Sequence, residues 1–211
     1  LPPYLKLAYL PNPGAVRLRL SAYEVEGESV AREIERQFEA LRRIIPHNVL
    51  GYETATMQEL VHRILTERRQ TLATAESCTG GVIASRFTAM PGASAYFLCG
   101  VVSYSNEAKI RVLGVDADTI ARYGAVSEQV ARQMAEGVRR VAGADYAIAT
   151  TGIAGPTGGS AEKPVGTVWI AVATPAGTVA QCRQCGTDRG QIIDRASAFA
   201  IGLLRDSLNG E

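Results

Sequence analysis

Hydrophobic and polar positions divide the chain into two stretches with different rhythms. Near the start, Leu5 to Leu10 is a short, mostly apolar run closed by Pro11-Asn12-Pro13-Gly14, a strong turn sequence. Val16 to Ala22 sets Val16, Leu18 and Leu20 against Arg17, Arg19 and Ser21, the period of a half-buried strand, so the two runs predict a β-hairpin. Val30, Ile34, Phe38, Leu41 and Ile45 then fall on one face of a helix, and Asn48 to Tyr52 predicts a third strand. This β-β-α-β piece is small for an independent core. Its boundary falls at Glu53 to Ala55.

Beyond it, strands and helices alternate. Thr56-Met57-Gln58-Glu59 has the pattern of a capping box, with Leu60, Val61, Ile64 and Leu65 as the buried face of the helix it opens. Strands are predicted over 72–75, 99–104, 146–151, 167–173 and 178–183. Helices are predicted over 79–89 and 107–113, from the Ser127 cap to Gly143, and over 189–208. Only Thr174-Pro175-Ala176-Gly177 separates the last two strands, so they predict an antiparallel hairpin within an otherwise parallel sheet. Residues 56–211 therefore read as an α/β domain, a three-layer α/β/α sandwich with a mixed sheet. A small α+β unit over 1–55 precedes it.

Composition narrows the chemistry. The 211 residues carry 22 Lys+Arg against 21 Asp+Glu, a net charge of +1 that predicts neither nucleic-acid nor membrane binding. No apolar run approaches the ~20 residues of a membrane helix. The chain opens on Leu1 rather than Met, as expected of a piece of a longer protein. Two histidines, His47 and His62, rule out a histidine-rich metal site and leave little scope for a Ser-His-Asp triad. The four cysteines read as reduced thiols of a cytoplasmic protein. Cys182 and Cys185 form C-x-x-C, but odd spacing on a strand points them to opposite faces. No metal and no cofactor is expected. The absence of a Gly-Lys pair and of G-x-G argues against a P-loop or a dinucleotide fold.

In open α/β sheets, ligands bind beyond the carboxyl ends of strands. Two segments fit. Ala75-Glu76-Ser77-Cys78-Thr79-Gly80-Gly81 joins a strand to a helix, offering hydroxyls, glycines for close backbone approach and helix-start amides for an anion. Thr150 to Ser160 is a Gly-rich loop after an apolar strand. A tight packing turn and a plain connection are the alternatives. Only three lysines exist, and Lys109 follows a strand end in Ser103-Tyr104-Ser105-Asn106-Glu107-Ala108-Lys109. A desolvated lysine can act as a base, and serine paired with lysine is a known substitute for Ser-His-Asp. A solvated lysine one turn into a helix is the alternative.

Ala75 to Gly81, Pro91-Gly92-Ala93-Ser94-Ala95-Tyr96-Phe97, Tyr104 to Lys109 and Thr151-Gly152-Ile153-Ala154-Gly155-Pro156 together resemble the C-terminal domain of the competence/damage-inducible CinA family, from about Thr56 onward. The first piece resembles that family's KH-like middle domain. Two departures stand out: Ala93 replaces a serine of the family pattern, and Thr187 is inserted in Gly186-Thr187-Asp188-Arg189.

The resemblance implies a homodimeric nicotinamide mononucleotide deamidase that releases ammonia and nicotinic acid mononucleotide. It implies that Ser94 attacks, that Lys109 and Tyr104 manage its proton, and that Ser77 bonds within the same cluster. The roles of Ser94 and Ser77 are interchangeable at this level. Thr79, Gly80, Gly81, Asn106, Thr151, Gly152 and Gly155 would hold the nucleotide, with Arg189 on its phosphate or on the carboxylate product. The competing readings are a silent pyridine-nucleotide sensor and a nucleic-acid module. Against the latter, the G-x-x-G spacings of a KH loop occur only at Gly152, Gly155 and Gly158, outside the first piece.

Overall fold

The computed structural model describes all residues except 13–14, 24, 26, 46–48, 50–55 and 211. The chain divides into two compact units, Leu1–Ala55 and Thr56–Glu211. In the first, β1 (Leu5–Asn12) and β2 (Ala15–Ala22) pair antiparallel, and α1 (Glu28–Ile44) follows. The turn residues Pro13 and Gly14, His47, the boundary segment and, Val49 apart, the expected third strand lie outside the described residues.

The second unit is a three-layer α/β/α sandwich. It runs α2 (Met57–Arg68), β3 (Leu72–Glu76), α3 (Val82–Thr88), a 3-10 turn (Ala93–Ala95), β4 (Phe97–Val102), α4 (Asn106–Leu113), α5 (Ala117–Tyr123), α6 (Glu128–Ala142), β5 (Tyr146–Gly152), β6 (Thr167–Thr174), β7 (Gly177–Gln184) and α7 (Arg189–Asn209). The sheet order is β4-β3-β5-β6-β7. The first three strands are parallel, and β6 and β7 run antiparallel as the hairpin read from the sequence.

Strand alternation sorts the core. Leu72, Tyr146, Ile148, Val168, Ile170 and Val172 face α2, α3 and α7. Ala73, Ala75, Ala147, Ala149, Ala171 and Ala173 face the other way, toward Val130, Met134 and Val138 of α6. Small residues on that face allow α6 to approach closely. At Gly137 an added Cβ would lie 2.0 Å from the Leu113 carbonyl oxygen, so this glycine sets the contact between α6 and the end of α4. The Thr56–Glu59 capping box and the Ser127 cap both form.

Three details depart from the sequence reading. Helix α3 begins at Val82 rather than Thr79, because Gly80 (φ 62°) and Gly81 (φ 101°) hold a left-handed turn after β3. Strand β4 begins two residues early, at Phe97. The short helix α5 has only one weak apolar face, and the sequence reading missed it.

Candidate active site

The carboxyl ends of β3, β4 and β5 meet at one rim, and the backbone builds it. Ser77 N donates to Thr150 O and Ser103 N to Glu76 O, so all three strands stay in register up to the turn that carries Ser77. Lys109 lies on the first turns of α4, a helix capped by Ser105, whose hydroxyl accepts from Ala108 N. That cap fixes the start of α4 and turns Lys109 inward beneath the rim.

Lys109 is 1% exposed. Its Nζ lies 3.1 Å from Ser77 Oγ, 2.8 Å from Ser103 O and 3.4 Å from Tyr104 O. Among the described residues no carboxylate pairs with it. Burial therefore pushes its pKa below the usual 10.5. Carbonyl oxygens only accept, so in the neutral amine the two N–H bonds go to Ser103 O and Tyr104 O. The lone pair is then left facing Ser77 Oγ. The geometry selects Ser77 as the hydroxyl that Lys109 can deprotonate.

The same depression has a stability consequence. Between the native pKa of Lys109 and 10.5, the unfolded chain holds a proton that the native one does not, so this group's contribution to stability rises with pH across that window. The buried thiols of Cys78 and Cys185, pushed up from 9 to about 12 and about 11, act in the opposite sense at the alkaline end. The stability of wild type relative to Lys109→Met, followed by urea unfolding between pH 7 and 10, should therefore rise with pH.

Ser94 is not brought to this cluster. Leu72 pairs with Phe97 and Glu76 with Val102, so Ser94, three residues before β4 proper, lies at the opposite end of the sheet. The separation along the strands is about 15 Å at about 3.3 Å per residue. Ser94 is exposed on the 3-10 turn, beside an open cavity of about 360 Å³ lined by Thr88, Met90, Gly92, Ala93 and Phe97. The sequence places Ser94 and Ser77 in equivalent motifs; only the parallel register of β3 and β4 separates them.

Glu76, to which sequence reasoning assigned no role, organises the rim. It is buried, and its carboxylate accepts from Thr79 Oγ1 (2.7 Å), Gly81 N (3.0 Å), Ile83 N (3.1 Å) and Ala84 N (2.8 Å). The start of α3 therefore already holds an anion, and it belongs to the chain itself. Of the residues expected to hold the nucleotide here, the Thr79 hydroxyl and the Gly81 amide are already engaged by Glu76, and Gly80 N donates to Ser77 O. The available signal was a lone acidic residue ending an apolar strand just before a helix start.

The loop glycines are likewise accounted for by packing. A Cβ at Gly152 would lie 2.7 Å from Val168 Cγ2 and 2.8 Å from Thr167 O, and one at Gly155 would lie 2.6 Å from Val165 Cγ1. Thr151 is buried and donates its hydroxyl to Ala125 O at 2.8 Å. Asn106 is exposed on the first turn of α4.

Arg189 does converge on the rim. It donates to Gly155 O at 2.8 Å and to Tyr104 Oη at 3.1 Å, joining the Gly-rich loop to the end of β4 and leaving an exposed guanidinium there. Tyr104 is 62% exposed; only its backbone carbonyl reaches Lys109. Cys78 is buried with its pKa pushed up to about 12, so the thiol beside Ser77 stays protonated at neutral pH. Cys182 is exposed and Cys185 buried, on opposite sides of β7 and its continuation. His62 packs edge-on against Tyr96, at the end of the sheet away from Lys109. Among the described residues no group of His, Cys, Asp and Glu could hold a metal ion, and no helix is long and apolar enough to cross a membrane.

Fold and site thus define a class: a mixed-sheet α/β domain with a buried serine–lysine pair where its parallel strands end. Residues 54–208 match the family model described as the CinA C-terminal domain, and the chain belongs to the CinA family. A CinA-like protein of Flavobacterium psychrophilum is 45% identical over 97% of this chain and 49% of its own length. The chain spans about half the length of the curated relatives it matches. Among solved structures, competence damage-inducible protein A of Klebsiella pneumoniae is similar with a TM-score of 0.70 at 39% identity, covering 72% of this chain and 95% of that one. The Agrobacterium tumefaciens competence/damage-inducible protein CihA gives 0.69 at 41%, covering 75% and 99%.

Proposed function

We propose that this chain is an amidohydrolase that hydrolyses the carboxamide of nicotinamide mononucleotide, with Ser77 as nucleophile and Lys109 as general base. The observation that carries the reading is the buried Lys109 amine, 3.1 Å from Ser77 Oγ with its other two contacts on carbonyl oxygens. Ser77 Oγ attacks the carboxamide carbon while its proton passes to Lys109 Nζ. The C–N bond then breaks, Lys109 returns the proton to the departing ammonia, and an ester remains on Ser77. Water attacks that ester with Lys109 again taking the proton, releasing nicotinic acid mononucleotide and restoring the hydroxyl. The backbone N–H groups of Cys78 and Thr79, next along the turn, are candidate donors to the tetrahedral oxyanion.

The four motifs shared with the CinA C-terminal domain support the choice of substrate. The exposed Arg189 guanidinium at the rim supports an anionic one, since a planar fork of donors suits phosphate or carboxylate. Acid-quenching the enzyme during turnover of nicotinamide mononucleotide, followed by peptide mass spectrometry, should find an acyl adduct on Ser77 together with stoichiometric ammonia. Ammonia release with an adduct on Ser94 would reassign the nucleophile. Tight binding without ammonia release would make the domain a nucleotide sensor.

A further inference from the structure

Ser103 is fully buried just past the end of β4. Its backbone carbonyl holds Lys109 Nζ at 2.8 Å, yet among the described residues its Oγ has no hydrogen-bond partner. A buried hydroxyl without a partner costs stability, and such groups concentrate where function needs them. Unpartnered buried atoms also occur at His62 Nδ1, Gln70 Oε1 and Tyr96 Oη, all toward the amino end of the parallel strands, and at Thr74 Oγ1, on the α3 side of β3. Of these five, only Ser103 stands at the rim that carries Ser77 and Lys109.

Strand pairing fixes which way it faces. Glu76 pairs with Val102 and Ser103 N donates to Glu76 O, so Ser77 and Ser103 are neighbours at the ends of β3 and β4. They stand about 4.8 Å apart across the ladder. Val101 packs against the cluster around α6, and alternation turns Ser103 to the same side. Glu76 turns to the amides of α3, so Ser77 turns the other way, toward Lys109 of α4. The two serine side chains therefore share one face, with the Lys109 amine against both residues.

We propose that Ser103 is a positioning residue for the nucleophile: its hydroxyl donates to Ser77 Oγ when substrate is bound and holds that oxygen for attack. The inference rests on Ser77 as nucleophile and Lys109 as its base. Ser77 Oγ has one proton and two lone pairs. The proton goes to Lys109 Nζ, one lone pair attacks the carbonyl carbon, and the other is left to accept. Ser103 is the neighbouring hydroxyl on that face, and a turn between staggered rotamers re-aims its short side chain at little cost. As the proton leaves, negative charge builds on Ser77 Oγ, and a donor fixed beside it stabilises that charge. Lys109 cannot supply this bond while neutral, because its two N–H groups go to Ser103 O and Tyr104 O. In the free enzyme the bond is open, as catalytic hydrogen bonds often are before substrate binds.

Threonine and valine have the same shape and differ by the hydroxyl, so the pair isolates the bond in the full chain. Ser103→Thr should keep turnover of nicotinamide mononucleotide within about threefold of wild type. Ser103→Val should lower kcat about ten- to a hundredfold, the scale of one hydrogen bond to a charged group, with KM unchanged. Ser103→Ala should lose kcat to the same extent and yet unfold at or above the wild-type temperature, since it removes a buried hydroxyl that has no partner. Equal kcat in the threonine and valine variants would overturn the bond. So would an alanine variant that is fully active but less stable, which marks a purely structural serine.

A second measurement does not depend on the deamidase reading. Phenylmethanesulfonyl fluoride sulfonylates activated serines: Ser77 Oγ displaces fluoride from sulfur while Lys109 takes the proton. Peptide mass spectrometry should find the adduct on Ser77, formed about tenfold more slowly in Ser103→Val than in Ser103→Thr. That result without ammonia release would remove nicotinamide mononucleotide as substrate and leave the role of Ser103 standing. Equal labelling rates, or a wild type that neither labels nor releases ammonia, would overturn it.

Discussion

Replacing Ser77 by alanine, or Lys109 by methionine, is expected to lower ammonia release from nicotinamide mononucleotide by at least about a thousandfold, the scale on which nucleophile and base losses fall in other hydrolases. The two side chains act as one unit. In the proposed mechanism Lys109 is the proton acceptor, and Ser77 Oγ is the only hydroxyl in contact with its amine among the described residues. Combining both substitutions should therefore cost no more than either alone. Lys109→Met keeps the buried chain length while removing the amine, so loss of rate with retained fold isolates the chemistry. Lys109→Arg should be equally inactive, because a guanidinium stays charged and cannot accept a proton. The decisive measurement is the ammonia rate alongside thermal unfolding for all three variants. Near-wild-type turnover in any of them would remove that side chain from the mechanism.

The second large effect is expected at Glu76. Its carboxylate accepts three backbone N–H groups at the start of α3 and the hydroxyl of Thr79, all in a buried setting. Glu76→Ala would orphan these donors at about 1–3 kcal/mol each before relaxation, enough to threaten a domain whose whole stability is of order 5–15 kcal/mol. Glu76→Gln is the finer probe. One oxygen can still serve Gly81, Ile83 and Thr79, but the new NH2 faces Ala84 N, donor against donor. Unfolding by urea should rank wild type above Gln and Gln above Ala. Because the carboxylate also anchors the turn that holds Ser77, the Gln variant should lose rate out of proportion to its stability. Equal stability of Glu76→Ala and wild type would remove the carboxylate from any structural role.

Much of the second unit was legible because its signals are local. The Thr56–Glu59 capping box, the Ser127 cap and the turn at Gly177 each depend on a few adjacent residues, and each forms where it was read. The strands were legible because apolar runs bounded by turns leave few alternatives. The helix start at Thr79 was misread because two adjacent glycines can begin a helix or delay it. The choice went to Glu76, whose carboxylate draws the amides of Gly81, Ile83 and Ala84 onto itself. Gly152 and Gly155 suggested a ligand cradle, yet Val168 and Val165 occupy the space that a Cβ would take. A glycine in a loop reports close approach. It does not report what approaches.

The sequence by itself determined the layer order, the mixed sheet and the rim at which reactive groups gather, since alternation of elements and turn chemistry are properties of short segments. It also singled out Lys109, because scarce histidine left few candidate bases. Which serine faces that lysine was decided only by the tertiary structure. Ser77 and Ser94 both follow plausible motifs, and they separate only when β3 and β4 align in parallel and send one serine to each end of the sheet. Register is a pairing between distant segments, held by backbone hydrogen bonds that carry no side-chain signature, so it emerges only on folding.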